Sequence, residues 1–201
     1  MLARSAAVML VIAVLLCSAA SWAGPETPDL EKVIKSLTGI PVADNARYHQ
    51  DADRYLRFIG APPGMSFRAS SAKSADPEQA TQAFLLENAK AFGAGGGRQA
   101  FKRLRVTQDG DSSFVRLQQT YDGIPVFGAE VNAQVGPDGG IRSLLSDIMR
   151  DTRLLDQKTV STTPTVGKDA ARQRALLHVR GLFPIPALEV LGEPVLQIYH
   201  P

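Results

Sequence analysis

The run from Ser112 to Val135 constrains this chain more than any other stretch. In SFVRLQQTY, the residues Val115, Leu117, Gln119 and Tyr121 alternate with Phe114, Arg116, Gln118 and Thr120. A period of two belongs to a strand with two unlike faces. Asp122-Gly123 follows, a dipeptide whose residues accept the positive φ angles of a tight hairpin turn. The alternation then resumes. Phe127, Ala129, Val131, Ala133 and Val135 share one face, and Val126, Gly128, Glu130, Asn132 and Gln134 the other. Pro125 has no N–H to give a ladder, so it marks a strand start or an edge. Gly128 marks a bulge or a close approach of backbone.

Further elements extend this hairpin on both sides. Gly136 to Gly140, GPDGG, is a second turn, and Ile141 to Ile148 a further strand. FKRLRVTQ is a strand upstream, and QDGDSS the hairpin tip after it. A helix precedes them. Asp76 caps it, Pro77 takes its first position and Gln79 stands three residues after the cap. Ala80, Ala83, Phe84 and Ala91 keep a helical stripe until Gly93 stops it. A helix over an antiparallel meander is an α+β arrangement with one sheet face on a core.

The flanks are less regular. Arg54 to Gly60 reads as a strand closed by the turn APPG, and Asp29 to Gly39 as a short helix. The Ser/Ala-rich stretch Ser66 to Asp76 places a boundary, dividing a segment 24–75 from a domain 76–153. Beyond it, Thr165 caps a helix from about Val166 to Arg180 that Gly181 ends, with Ala171, Ala175 and Val179 on its buried face. A Pro-rich loop and the strand VLQIYHP complete a unit over 160–201. A helix and one strand cannot bury their own apolar faces, so this last unit reads as incomplete.

The amino terminus sets the compartment. Arg4 is followed by an apolar run from Ala6 to Leu16, and Ser21 and Ala23 are the small residues of a cleavage site. This is a secretory signal peptide over 1–23, cleaved after Ala23. Its apolar core is shorter than the roughly 20 residues of a membrane span. The expectation is a secreted protein, extracellular or periplasmic, with no membrane attachment after cleavage. Cys17 leaves with the leader, so the remaining chain holds no disulfide and no thiol nucleophile. The 22 basic residues less Arg4, set against 20 acidic residues, leave a net charge of +1. That balance makes no electrostatic case for nucleic acid.

Candidate chemistry is sparse. Three histidines, His49, His178 and His200, lie far apart, and no HExxH occurs. His49, Asp51 and Asp53 alternate in HQDAD, where a solvated polar run explains them better than a metal site. GAGGGR follows a helix instead of opening one, so it is no phosphate cradle. Asp109 and Asp111 lack the spacing of a calcium loop. No nucleophile, base and orienter come together, so the chain reads as non-catalytic and without a cofactor of its own.

SFVRLQQTYDGIPVFGAEVNAQVGPDGGIRSL closely resembles the FTP domain, the fungalysin/thermolysin pro-region module. Gln118 to Tyr121, Gly123, Ile124 to Gly128, Glu130 and the Asp138-Gly139 turn follow its order, and ATQAFLLENAKAFG resembles its helix. Thr163 to Pro201 looks like the start of a PepSY domain. The resemblance implies cystatin-like modules and a pro-region that assists folding of an attached zinc metallopeptidase and inhibits it until removed. The partner is that secreted peptidase, and zinc would belong to it alone. A free-standing secreted inhibitor or binding module is the other reading. The residues expected to face the partner, or to organise the sheet that does, are Gln119, Tyr121, Gly123, Pro125, Val126, Phe127, Gly128 and Glu130.

Overall fold

The computed structural model describes residues 47–71, 76–183 and 192–199. In chain order these form β1 (Arg47–Gln50), β2 (Leu56–Gly60), α1 (Pro77–Glu87), α2 (Ala89–Phe92), β3 (Gln99–Asp109), β4 (Ser112–Tyr121), β5 (Ile124–Val135), β6 (Ile141–Asp147), α3 (Arg153–Asp156) and α4 (Lys168–Leu182). The signal peptide with its Ala23 cleavage site, the Asp29 to Gly39 helix, His200 and most of the Pro-rich loop lie outside the described residues.

The alternating runs pair as their period requires. β3 to β6 form an antiparallel meander, closed by turns at Gly110 (φ 57°), at Asp122-Gly123 (φ 49° and 80°) and at Gly139 (φ 76°). The six strands are ordered β1-β2-β6-β5-β4-β3. β2 pairs directly with β6, Phe58 opposite Leu145 and Ile59 opposite Leu144. The sheet therefore runs across the 75/76 boundary. β1 was not anticipated from the sequence, and β2 begins at Leu56 because Arg54 sits at φ 66° in the turn before it.

α1 starts as its cap dictates. The Asp76 carboxylate accepts from the Gln79 N–H at 2.8 Å, which satisfies one orphan donor of the first turn. Ala80, Thr81, Phe84 and Leu85 are its buried residues. The helix expected to run on through Ala91 breaks at Asn88, whose amide donates to Phe84 O at 2.8 Å, and resumes as α2. Gly93 ends α2 in the left-handed region at φ 67°. Phe84 packs between Phe67 and Phe92, with ring centroids 6.1 and 6.0 Å away. Beneath them Val115, Leu117, Val131, Ala133 and Leu144 supply the inner face of the sheet.

The last unit departs from expectation. α4 begins at Lys168 with Gly167 as its cap, not Thr165, and passes through Gly181 to end at Leu182, with Phe183 as its carboxyl-terminal cap. A glycine inside a helix costs about 1 kcal/mol against alanine but stops it only where φ turns positive. α4 buries none of its residues; Ala175 is exposed, and Ala171 and Val179 are only half-buried. Among the described residues no second layer covers it. The described part of VLQIYHP, Val195 to Tyr199, makes a single parallel bridge, Ile198 to Val126, in place of a strand. No helix among the described residues is long and apolar enough to cross a membrane.

Arg150 gathers the ends of these elements. Its guanidinium donates to Phe92 O, Ile148 O, Leu56 O and Ser146 O at 3.1 to 3.3 Å, and pairs with Asp51 at 3.2 Å. Its side chain is 14% exposed. Burial pulls its pKa down and the Asp51 charge opposes this. A Cβ at Gly93 would stand 2.9 Å from its side chain, so glycine is required there twice over, by φ and by space. Arg150→Ala strands carbonyls of three elements and the Asp51 carboxylate, and is expected to destabilise the fold by roughly 3 kcal/mol. Arg150→Lys should recover only part of this, since one ammonium cannot span the same fan of acceptors. Urea unfolding measures both; an unchanged midpoint for the alanine variant refutes the assignment.

Candidate functional site

The stretch Gln118 to Glu130 holds a local conflict between ladder and chain. Gln118 pairs with Glu130, while Thr120 pairs with Pro125. The residues Val126 to Ala129 of β5 therefore face Gln119 alone on β4. This is the bulge that Gly128, at φ 72°, foreshadows. Nothing lies within 4 Å of a Cβ built at Gly128, so the glycine serves the backbone angle and not a close approach.

A bulge strands carbonyls, and buried carbonyls need donors. The Gln118 amide donates to Val126 O and to Ala129 O, both at 2.7 Å. Gln119, fully buried, points to the opposite face. Its amide donates to Met149 O at 2.8 Å and its carbonyl oxygen accepts from the Met149 N–H at 2.8 Å. A second contact reaches Gln99 at 3.2 Å. The side chain thus copies a strand's two-bond pairing for the chain leaving β6. The Thr120 hydroxyl donates to Ala100 O at 3.3 Å.

Tyr121 completes the set. Its hydroxyl donates to Asp156 at 2.6 Å, and Thr152 donates to the other carboxylate oxygen at 2.6 Å. Arg98 stacks 4.6 Å above the Tyr121 ring and grips Asp122 through two nitrogens. Burial, then the bond to Asp156, pushes the Tyr121 pKa up to about 12, with the Arg98 charge opposing. Arg98 lowers that of Asp122, and Thr152 and then Tyr121 lower that of Asp156. Together these tie α3 to the β4–β5 turn, over a small cluster of Tyr121, Val126, Ala129, Met149 and Leu155.

The eight residues singled out from the sequence do not share one surface. Gln119, Tyr121 and Val126 are buried, at 1% exposure or less. Gly123 sits in the turn, and Pro125 is the second residue of β5, its carbonyl accepting from Ile198 N at 2.9 Å. Glu130 pairs with Arg116 across the strands. Phe127, expected on the inner face with Ala129, is 60% exposed, because the bulge reverses the alternation and sends Val126 inward. It leans on Tyr199 with centroids 6.0 Å apart. Arg98, Arg150 and Asp156 were missed; no local signal marks their contacts with Asp122, with Leu56 and Asp51, and with Tyr121, which lie 24 to 99 residues away.

Nothing in this region assembles a reacting group. Among the described residues no cluster of three His, Cys, Asp or Glu side chains is placed to hold a metal ion. Asp51 is taken by Arg150 and by the Tyr55 N–H, and His178 is exposed on α4.

Residues 99–148, from the start of β3 to just past β6, match the family model described as the Fungalysin/Thermolysin Propeptide Motif. The match covers 50 of the 201 residues. No match is found among the curated proteins. The motif occurs in the pro-regions of thermolysin-like metalloproteases and is a propeptide motif, not a catalytic domain.

Two outcomes test this arrangement. Gln119→Ala leaves the Met149 N–H and C=O without partners and is expected to cost about 1 to 3 kcal/mol in chemical denaturation. No loss would mean that the amide bridge is dispensable. For Tyr121, a raised folded pKa means that its stabilisation is complete below pH 10 and is lost as pH rises through about 12. Tyrosinate absorbance should therefore show a late step near pH 12 that is missing in Tyr121→Phe. Identical titrations would refute the buried Tyr121–Asp156 pair.

Proposed function

We propose that this chain is the pro-region of a secreted thermolysin-like zinc metallopeptidase, acting as its folding assistant and inhibitor and not as an enzyme. The observation that carries the reading is a coincidence. The residues matched to the propeptide motif are the four-stranded meander, and its signature side chains Gln118 to Tyr121 are all engaged in holding backbone and neighbouring side chains. A motif engaged inside its own fold serves as a preformed platform for a partner.

Such a platform works by binding the native peptidase better than its unfolded chain, which stabilises the folded form by mass action. Covalent linkage raises the effective concentration, so a modest intrinsic affinity suffices, and cleavage between the two removes that advantage. Zinc belongs to the peptidase in this scheme. Residues 160–201 are read as the opening of a PepSY module. The lack of buried residues on α4 favours that reading, because a helix in a finished domain has a covered face.

Refolding provides the test. A thermolysin-like catalytic domain unfolded in guanidinium is diluted with and without the chain, and its activity is assayed before and after digestion of the chain. Recovered activity should rise several-fold with the chain present and stay suppressed until digestion. Gly123→Val, about 1 kcal/mol or more less stable at its positive φ, should rescue less. Absence of both rescue and inhibition refutes the proposal, as does stoichiometric zinc or peptidase activity in the chain alone.

A further inference from the structure

The first half of β5 lies past the end of β6. β6 pairs with Glu130 to Val135 and stops at Asp147, so among the described strands Ile124 to Ala129 have β4 on one side only. A strand edge left open offers its N–H and C=O groups to any extended chain. One residue uses this edge. Ile198 N donates to Pro125 O at 2.9 Å, and Ile198 O accepts from Phe127 N at 2.7 Å, in parallel register with Val126. The Ile198 side chain packs half-buried on Tyr121, Val126, Ala129, Met149 and Leu155. The next ring, Tyr199, lies on Phe127.

Seat and occupant are held very differently. In the seat, Gln119 fastens Met149 through two bonds of 2.8 Å, Asp156 fastens Tyr121 at 2.6 Å, and Gln118 holds Val126 O and Ala129 O at 2.7 Å. None of these bonds involves the carboxyl-terminal stretch. In the occupant, Val195, Leu196 and Gln197 are exposed, and Tyr199 keeps 71% of its surface exposed despite Phe127. Glu193 pairs with Arg172 of α4, again at the surface. A fixed seat under a lightly tied extended segment is the arrangement of a recognition site.

We propose that the β5 edge at Pro125–Phe127 is a strand-addition site for an extended segment that carries a β-branched residue followed by an aromatic one, and that Ile198-Tyr199 is its resident, exchangeable occupant. In strand addition the main-chain bonds supply affinity and side-chain seats supply selectivity. The seat here is apolar, and the polar atoms at its rim, the Gln119 amide and the Tyr121 hydroxyl, already have partners. A polar or charged side chain in the place of Ile198 would lose its water and gain no bond. Phe127, turned outward by the bulge and 60% exposed, presents a ring face to the residue that follows. The assignment rests on this edge alone and stands apart from the pro-region reading.

Nuclear magnetic resonance on the isotope-labelled chain tests it, with the end-blocked peptide Pro194 to Tyr199 as the probe. Ile198→Ser should speed exchange of the Phe127 amide by about tenfold, the worth of one hydrogen bond. The amides of β6 should keep their protection, which separates an emptied seat from unfolding. Peptide added to Ile198→Ser should return the Phe127 and Met149 signals to their wild-type positions, and the same peptide with serine for isoleucine should not. The wild type, whose own segment competes with the advantage of its tether, should bind the peptide about tenfold more weakly or less. Phe127→Ser, made in the Ile198→Ser chain, should weaken peptide uptake about two- to tenfold. Signals of Ile198→Ser that ignore millimolar peptide, or equal uptake of the serine peptide, refute the site. Equal uptake by the wild type refutes the resident occupant. Wild-type Phe127 protection that disappears on dilution, together with a dimer in sedimentation, refutes it in favour of a segment supplied by a second copy of the chain.

Discussion

A backbone carbonyl or amide removed from water must find a partner, and in this fold the strand ladder fails to supply one at two places. One is the β5 bulge, where Val126 to Ala129 leave the register of β4. The other is the chain after β6, which has no strand beside it among the described residues. Gln118 serves the first and Gln119 the second, so adjacent residues on opposite sheet faces close both gaps. Arg150 then closes the end of α2 and the start of β2 with the same currency, side-chain donors to backbone oxygens. Without these three side chains the sheet would keep its ladder but lose the connections that fasten its ends.

That design accounts for the character of the Gln-Gln-Thr-Tyr run. Polar residues in mid-strand look like an invitation to a ligand. Here each is satisfied inside the fold, and satisfied buried polar groups specify one register where apolar packing alone would tolerate several. The Arg98–Tyr121–Asp156–Thr152 group extends this beyond the sheet, giving α3 a fixed position relative to the β4–β5 turn. Whatever follows α3 therefore leaves the sheet in a set direction.

The region past α3 has the opposite balance. α4 buries nothing, and its Leu177 and Leu182 are 68% and 60% exposed. Ile198 contributes one bridge on the edge of β5 before Glu130, where β6 has already ended at Asp147, and Tyr199 rests on the displaced Phe127. The bulge thus has two effects. It creates a demand that Gln118 meets, and it turns Phe127 outward to where Tyr199 rests on it.

Local chemistry was legible in the chain. The Asp122-Gly123 and GPDGG turns, the Asp76–Pro77 helix start, the Gly93 stop and the period-two strands each depend on neighbours within a few residues, so the sequence by itself determined them. It also determined that Gly128 interrupts β5. Tertiary structure alone decided what the interruption does: the reversal that buries Val126 and exposes Phe127 follows from how many residues the bulge holds, which depends on pairing with β4. It likewise decided that β1 and β2 join the sheet beside β6, that Arg150 and Asp51 meet, and that Tyr121 reaches Asp156. Those contacts join residues 35 to 99 apart, and no local spacing encodes which distant donor will meet which stranded acceptor.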